Sequence, residues 1–277
     1  MASTTSKTPF HLVKPSLWPF ASSVFTMTTL LYVIIQFHYN TIIDISNVFL
    51  ISTFFLLWTA GSWWFDVCVE SYRGGHHTDK VRIGIRMAMF LFILSEVMFF
   101  FGFFWAFFHS SLSPVYNIGG VWPPKSIDLI NPWGVPLLNT AILLTSGATV
   151  TKAHHAILKN QNKTVIYNLD LTLILAIIFT KLQVMEYSES TFNISDSVYG
   201  SIFYLMTGFH GIHVFIGTCF LFVCLIRMEL GHFSRNYHFG FEAAIWYWHF
   251  VDVVWILLFI CLYWWGGAIT TTITINI

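Results

Sequence analysis

One carboxylate sits in the middle of a long apolar run. The stretch RMAMFLFILSEVMFFFGFFWAFFHS, residues 86–110, is apolar and aromatic from Met87 to Phe108 except for Ser95, Glu96 and Gly102. An ionised acid at such a depth is costly, so an intramembrane acid is a functional candidate by default. Its neighbours at helical spacing are Phe92, Ile93, Phe99 and Phe100, none of which pairs with a charge. A partner must therefore come from another helix or from lipid. Two chemistries fit Glu96: a neutral structural carboxyl that donates a hydrogen bond across the bundle, or a group that handles protons.

Histidines are the second resource, twelve in all. His210 and His213 stand at i and i+3 in the segment GFHGIH, and His249 precedes Asp252, the second deep acid, by three residues. A haem held between helices needs two histidines facing one another, and a catalytic metal needs about three convergent ligands. The spacing alone shows neither. The alternative is structural: imidazoles hydrogen-bonded to acids or backbone, with His249 and Asp252 satisfying each other along one helix. His213 is the candidate partner for Glu96, because it lies well inside a polar-lined run. The pairs His76-His77 and His154-His155 fall at predicted helix ends, where headgroup contact or solvation is expected rather than a metal.

These groups must be positioned by membrane helices. Only 9% of the 277 residues are charged and 56% are hydrophobic, against about 25% charged in a soluble domain. Seven runs approach or exceed the roughly 20 residues that a bilayer core requires: 17–37, 48–69, 87–108, 135–150, 165–185, 198–226 and 243–269. The fourth is the weakest, rich in Thr, Ser and Gly, which suit close helix packing. Residues 109–134, with Gly119-Gly120, Pro123-Pro124 and Pro132, read as an exposed loop. The charged loop ESYRGGHHTDKVR separates the first two spans from the rest. A division into residues 1–72 and 73–277 is expected, a pair of helices plus a group of five.

With seven spans, every Lys and Arg except Lys125 and Lys181 falls on the N-terminal side, and Glu186, Glu189 and Asp196 form an acidic loop on the other. The N-terminus is then cytoplasmic or in the matrix, and the C-terminus faces out. Trp63, Trp64, Glu70, His76, His77, Arg82 and Arg227 would gather near the inner interface, as anionic-lipid contacts or as a solvated basic rim. The N-terminal stretch reads as neither a secretory signal nor a transit peptide, and the tail TTTITINI as strand-like or disordered. The four cysteines lie in apolar runs with no CxxC, as soft apolar filler. Zero net charge offers no basic face to nucleic acid. No phosphate loop, nucleophile elbow or HExxH occurs, so hydrolytic and nucleotide chemistry have no support.

Ordered motifs carry a resemblance. WWFDV at 63–67 with Glu70, GHHT at 75–78, LFILSEVMFFFGFFWAFFHSSL at 91–112 and VWPP at 121–124 are followed by VPLLNT at 135–140 and AHH at 153–155. ISDSVYGS at 194–201, TGFHGIHV at 207–214 and FGFEAAIWYWHFVDVVW at 239–255 complete the set. In this order they resemble subunit III of the haem–copper cytochrome c oxidases, over nearly the whole chain from Pro15 to Gly267. The double histidine is similar to that of the mitochondrial members.

The resemblance implies an all-α membrane protein of seven transmembrane helices, two splayed from a bundle of five around a V-shaped cleft filled with phospholipid. It implies no haem or copper in this chain, since the redox centres belong to partner subunits I and II, with further accessory subunits around them. The implied role is to brace subunit I, support proton uptake and sustain turnover. By motif match Glu96 is the family's buried carboxyl, and Trp64, Glu70, His77, Arg227 and His232 are its lipid-contacting positions, for phosphatidylglycerol, phosphatidylethanolamine or cardiolipin. The implied location is the mitochondrial inner membrane, N-terminus in the matrix and C-terminus in the intermembrane space. Two other classes stay open on the residues alone. A proton-coupled transporter would show transport by the isolated chain, and a haem-binding electron carrier would show a Soret band.

Overall fold

The computed structural model describes residues 9–38, 46–125 and 127–266. The N-terminal stretch before Pro9 and the TTTITINI tail lie outside the described residues. Among the described residues there are seven α-helices and no β-strand: α1 (Trp18–His38), α2 (Ser46–Tyr72), α3 (Asp79–Leu112), α4 (Val135–Leu158), α5 (Asn162–Glu189), α6 (Ser197–Glu229) and α7 (Phe239–Leu258). A π-helical stretch, Phe259–Trp265, continues α7. All but α4 are long and apolar enough to cross a bilayer. The fourth helix falls short on hydropathy because Asn139, Thr140, Thr145, Ser146, Thr149 and Thr151 line it. At about 1.5 Å per residue the 34 residues of α3 exceed a core of about 30 Å. This is a multi-pass membrane protein.

The chain divides into two compact units, Met1–Ile85 and Arg86–Ile277. The first holds α1, α2 and the opening turns of α3. Its two spanning helices hide little: α1 buries no residue, and α2 buries only Ser52 and Thr59. What joins them is aromatic stacking, Phe25 on Phe55 at 5.3 Å and Trp18 against Trp58 at 5.8 Å, with Trp18 Nε1 donating to Asp66 Oδ2 at 2.6 Å.

The second unit has a true core. On α6 the buried positions Tyr199, Phe203, Met206, His210, His213, Gly217, Leu221, Cys224 and Met228 recur every three or four residues, one stripe of a helix. Gly217 lies on that stripe because a Cβ there would stand 2.9 Å from the Trp248 ring. The helix ends in a Schellman turn: Gly231, at φ +70°, sends its N–H to the Met228 carbonyl, and His232 sends its N–H to Arg227 at 2.9 Å. The last helix, α7, is buried on most sides, from Phe241 to Leu258.

The structure corrects two expectations. The 109–134 connection is not wholly exposed. Trp122 is buried against Phe107 and Tyr199, at 5.9 and 5.6 Å between rings, because its large apolar surface caps the open end of the aromatic core. Glu186 is not in a solvated acidic loop. The fifth helix runs on to Glu189, and Glu186 falls on its buried stripe with Val165, Leu169, Thr172, Ala176, Phe179 and Gln183.

Candidate functional site

The aromatic wall of α3 opens at Glu96. His213 on α6 brings Nε2 to 2.8 Å from Glu96 Oε2, while its Nδ1 lies 2.6 Å from the Phe209 carbonyl of its own helix. A carbonyl only accepts, so Nδ1 carries a hydrogen and donates it. That fixes the tautomer. Nε2 is then either a bare lone pair receiving the carboxyl O–H, or an N–H donating to a carboxylate. In both forms the contact holds one proton and no net charge. Phe99, Phe100, Tyr247 and Phe250 ring the imidazole with centroids at 5.0–6.3 Å. This sheath lowers the local dielectric and strengthens the bond.

A second set joins α4 to α7, which run antiparallel. Trp255 Nε1 donates to Thr140 Oγ1 and Trp248 Nε1 to Ser146 Oγ, each at 3.0 Å. One turn on, Thr151 Oγ1 meets His249 Nε2 at 3.1 Å. His249 Nδ1 faces Asp252 Oδ2 at 3.4 Å along α7. Gly147 makes this possible, since a Cβ there would stand 2.6 Å from that Asp252 oxygen. The hydroxyls that depress the hydropathy of α4 are thus the acceptors its neighbour needs. In a bilayer, where apolar burial does not drive helices together, small residues and such bonds do so instead.

His210 stands apart from His213 despite the shared face. Its Nε2 donates to the Val251 carbonyl at 3.2 Å, and its ring packs on Trp255 and Phe179. The group that sequence reasoning missed is centred on Glu186: Tyr263 donates to its Oε1 at 2.6 Å and Gln183 Nε2 at 3.1 Å, and Asn139 Nδ2 reaches Gln183 Oε1 at 3.5 Å. The heptad-like spacing from Val165 to Glu186 was the signal that could have found it.

In the first unit Trp64 is 70% exposed on α2. Ligand atoms of Glu70, His77 and His11 lie within 4.8 Å of one another. His11 also stacks on His76 at 4.7 Å. In the second unit Arg227 and His232 share the Schellman turn of α6, where the guanidinium lies 4.4 Å over the Phe233 ring.

A profile of the cytochrome c oxidase subunit III family matches residues 8–267. Cytochrome c oxidase subunit 3 of the alga Prototheca wickerhamii is 55% identical over 266 residues, 95% of this chain and 99% of that protein. The subunit 3 proteins of Drosophila yakuba and Arabidopsis thaliana are 55% and 54% identical, covering 96% and 93% of this chain and 100% and 97% of theirs. With the helices, the paired acid of α3 and the α4–α7 ladder in one chain, and with matches of this extent, the chain belongs to the cytochrome c oxidase subunit III family and is a subunit of that oxidoreductase complex.

Proposed function

We propose that the chain is an accessory, non-redox core subunit of the respiratory oxidase. It braces subunit I, supports proton uptake and stable turnover, and holds structural phospholipids. Haem and copper reside in the partner subunits, which reduce oxygen with electrons from cytochrome c while protons are pumped. The setting is the mitochondrial inner membrane, with the N-terminus in the matrix and the C-terminus in the intermembrane space, the orientation that the basic loops favour.

One observation carries the structural part of this reading. Glu96 and His213 spend their facing atoms on each other at 2.8 Å, and the second nitrogen of His213 is spent on Phe209. A relay needs a further acceptor within reach of the proton. Among the described residues the hydrogen bond keeps its proton between the two partners. The pair then serves as a clasp between α3 and α6. His249 and His210 likewise hold bonds to Thr151 and Val251. Lipid contact draws its support from exposed Trp64 and from the polar groups of Glu70 and His77 in the first unit, and from the cationic turn at Arg227 in the second.

The decisive experiment is Glu96→Gln in the assembled oxidase. The amide can donate to the Nε2 lone pair of His213, so assembly and proton pumping are expected to stay at wild-type levels. Lost pumping in a fully assembled enzyme would make Glu96 a proton carrier. A stoichiometric Soret band in the purified chain would end the non-redox reading. For lipid, Glu70→Gln and Trp64→Ala are expected to reduce the phospholipid that co-purifies, and unchanged lipid content would remove that part of the proposal.

A further inference from the structure

The α4–α7 ladder has one more rung, and it is chemically unlike the others. Beyond Thr151 and His249, the C-terminal end of α4 presents His154 to the start of α7, where His238 is the N-cap and Glu242 stands in the first turn. One nitrogen or oxygen from each of the three lies within 4.8 Å of the other two. His238 is 94% buried, at 6% exposure, and its ring is 5.5 Å from that of His154. Its Nδ1 stands 3.0 Å from the Ser234 carbonyl. That nitrogen must be the donor, so Nε2, a lone pair when the ring is neutral, faces Glu242 Oε1 at 3.3 Å. Among the described residues Nε2 of His154 and Nε2 of His238 are both buried without a hydrogen-bond partner.

We propose that His154, His238 and Glu242 form a binding site for a divalent ion of the zinc type, stapling the end of α4 to the start of α7. Two imidazoles and one carboxylate are a zinc donor set that leaves a fourth position for water. Metal bonds of about 2.0–2.2 Å put tetrahedral ligand atoms roughly 3.3–3.5 Å apart. The His238–Glu242 pair is already at 3.3 Å, so only His154 has to close in. The outer contacts are those a metal site requires. Ser234 fixes the tautomer of His238, and Arg86 Nη2 holds the other Glu242 oxygen, Oε2, at 2.8 Å. The position suits entry from water, since it lies at helix ends on the Lys- and Arg-rich side. This departs from the expectation that the 154–155 pair makes headgroup contact or is solvated. His154 is turned inward because α4 continues for more than two turns past Val150.

The test uses the full chain in lipid nanodiscs, incubated with Zn2+ and desalted, with zinc per chain measured by mass spectrometry. One equivalent is expected in the wild type. His154→Asn and His238→Gln should each weaken binding by about ten-fold or more. His77→Asn, in the other histidine cluster, should leave it unchanged. Bound Co2+ should show the intense visible bands of a tetrahedral site, lost in the same two variants. A wild-type chain that retains no zinc, or zinc lost only through His77→Asn, would overturn the site. Should His238→Gln fail to fold, His154→Asn still decides the matter, because Nε2 of His154 makes no hydrogen bond among the described residues.

Discussion

The α1–α2 pair and the α4–α7 pair are both helices side by side, yet they are held in different ways. In the first pair most large side chains are exposed, and the buried residues are a serine and a threonine on α2. In the second, indoles donate to hydroxyls on α4, a glycine admits a carboxylate, and α7 is buried on most sides. Lipid tails are as apolar as leucine, so outward apolar surface does not fasten one helix to another. Close backbone approach and paired polar groups do. The first pair has few of these of its own. The second is fastened internally.

Trp248 offers the strongest way to break that contrast. It is fully buried, lies against Gly217 and donates to Ser146. Trp248→Ala removes the bond and leaves a void, at a cost of about 3–5 kcal/mol. Denaturant unfolding of the chain in bicelles should rank it above every other single change named below. A loss under about 1 kcal/mol would mean the α4–α7 packing matters far less than its geometry implies. Next comes Gly147→Ala. Its Cβ would meet Asp252 at 2.6 Å, so overpacking should cost about 1–3 kcal/mol. Gly211, where a Cβ meets nothing within 4 Å, is the matched control, and Gly211→Ala should be neutral or slightly favourable. Equal effects at the two glycines would refute the idea that Gly147 exists to seat the acid. Third is Glu96→Ala, which strands His213 and should cost about 1–3 kcal/mol, while Glu96→Gln costs less.

Much of the fold was legible in the sequence because membrane helices announce themselves by length. The seven runs, the depth of Glu96 and the local closeness of His249 to Asp252 all follow from spacing along one helix. What spacing could not give is which faces meet. Glu186 read as part of an acidic loop because a run count ends where charge begins, but a helix continues for as long as a buried partner such as Tyr263 rewards it. Trp122 read as loop because glycine and proline surround it, yet one indole outweighs its neighbours once an aromatic wall stands nearby. His154, His238 and Glu242 come from helix ends far apart in sequence. Their convergence depends on the register of α4 against α7, set by the Trp248 and Trp255 bonds and not by any local pattern.

The smallest expected effect probes the other side of the comparison. Thr29 on α1 reaches Ser52 on α2 at 3.1 Å. Each hydroxyl has one hydrogen, however, and each also lies within reach of a carbonyl in its own helix: Thr29 of Phe25 at 2.8 Å, Ser52 of Phe49 at 3.1 Å. The interhelical bond therefore forms only when one of them gives up its carbonyl, so its net worth should fall below the ~0.6 kcal/mol average for such bonds in membranes. Thr28 isolates the difference, because among the described residues it bonds only the Val24 carbonyl, at 2.8 Å, one turn back. Thr29→Val and Thr28→Val each lose a back-bond, and Thr29→Val alone loses the link to α2. The two unfolding free energies should then differ by about 0.6 kcal/mol or less. A gap of about 2 kcal/mol or more would show that the first pair is fastened by its own polar contact, as the second is, and the contrast between them would fall.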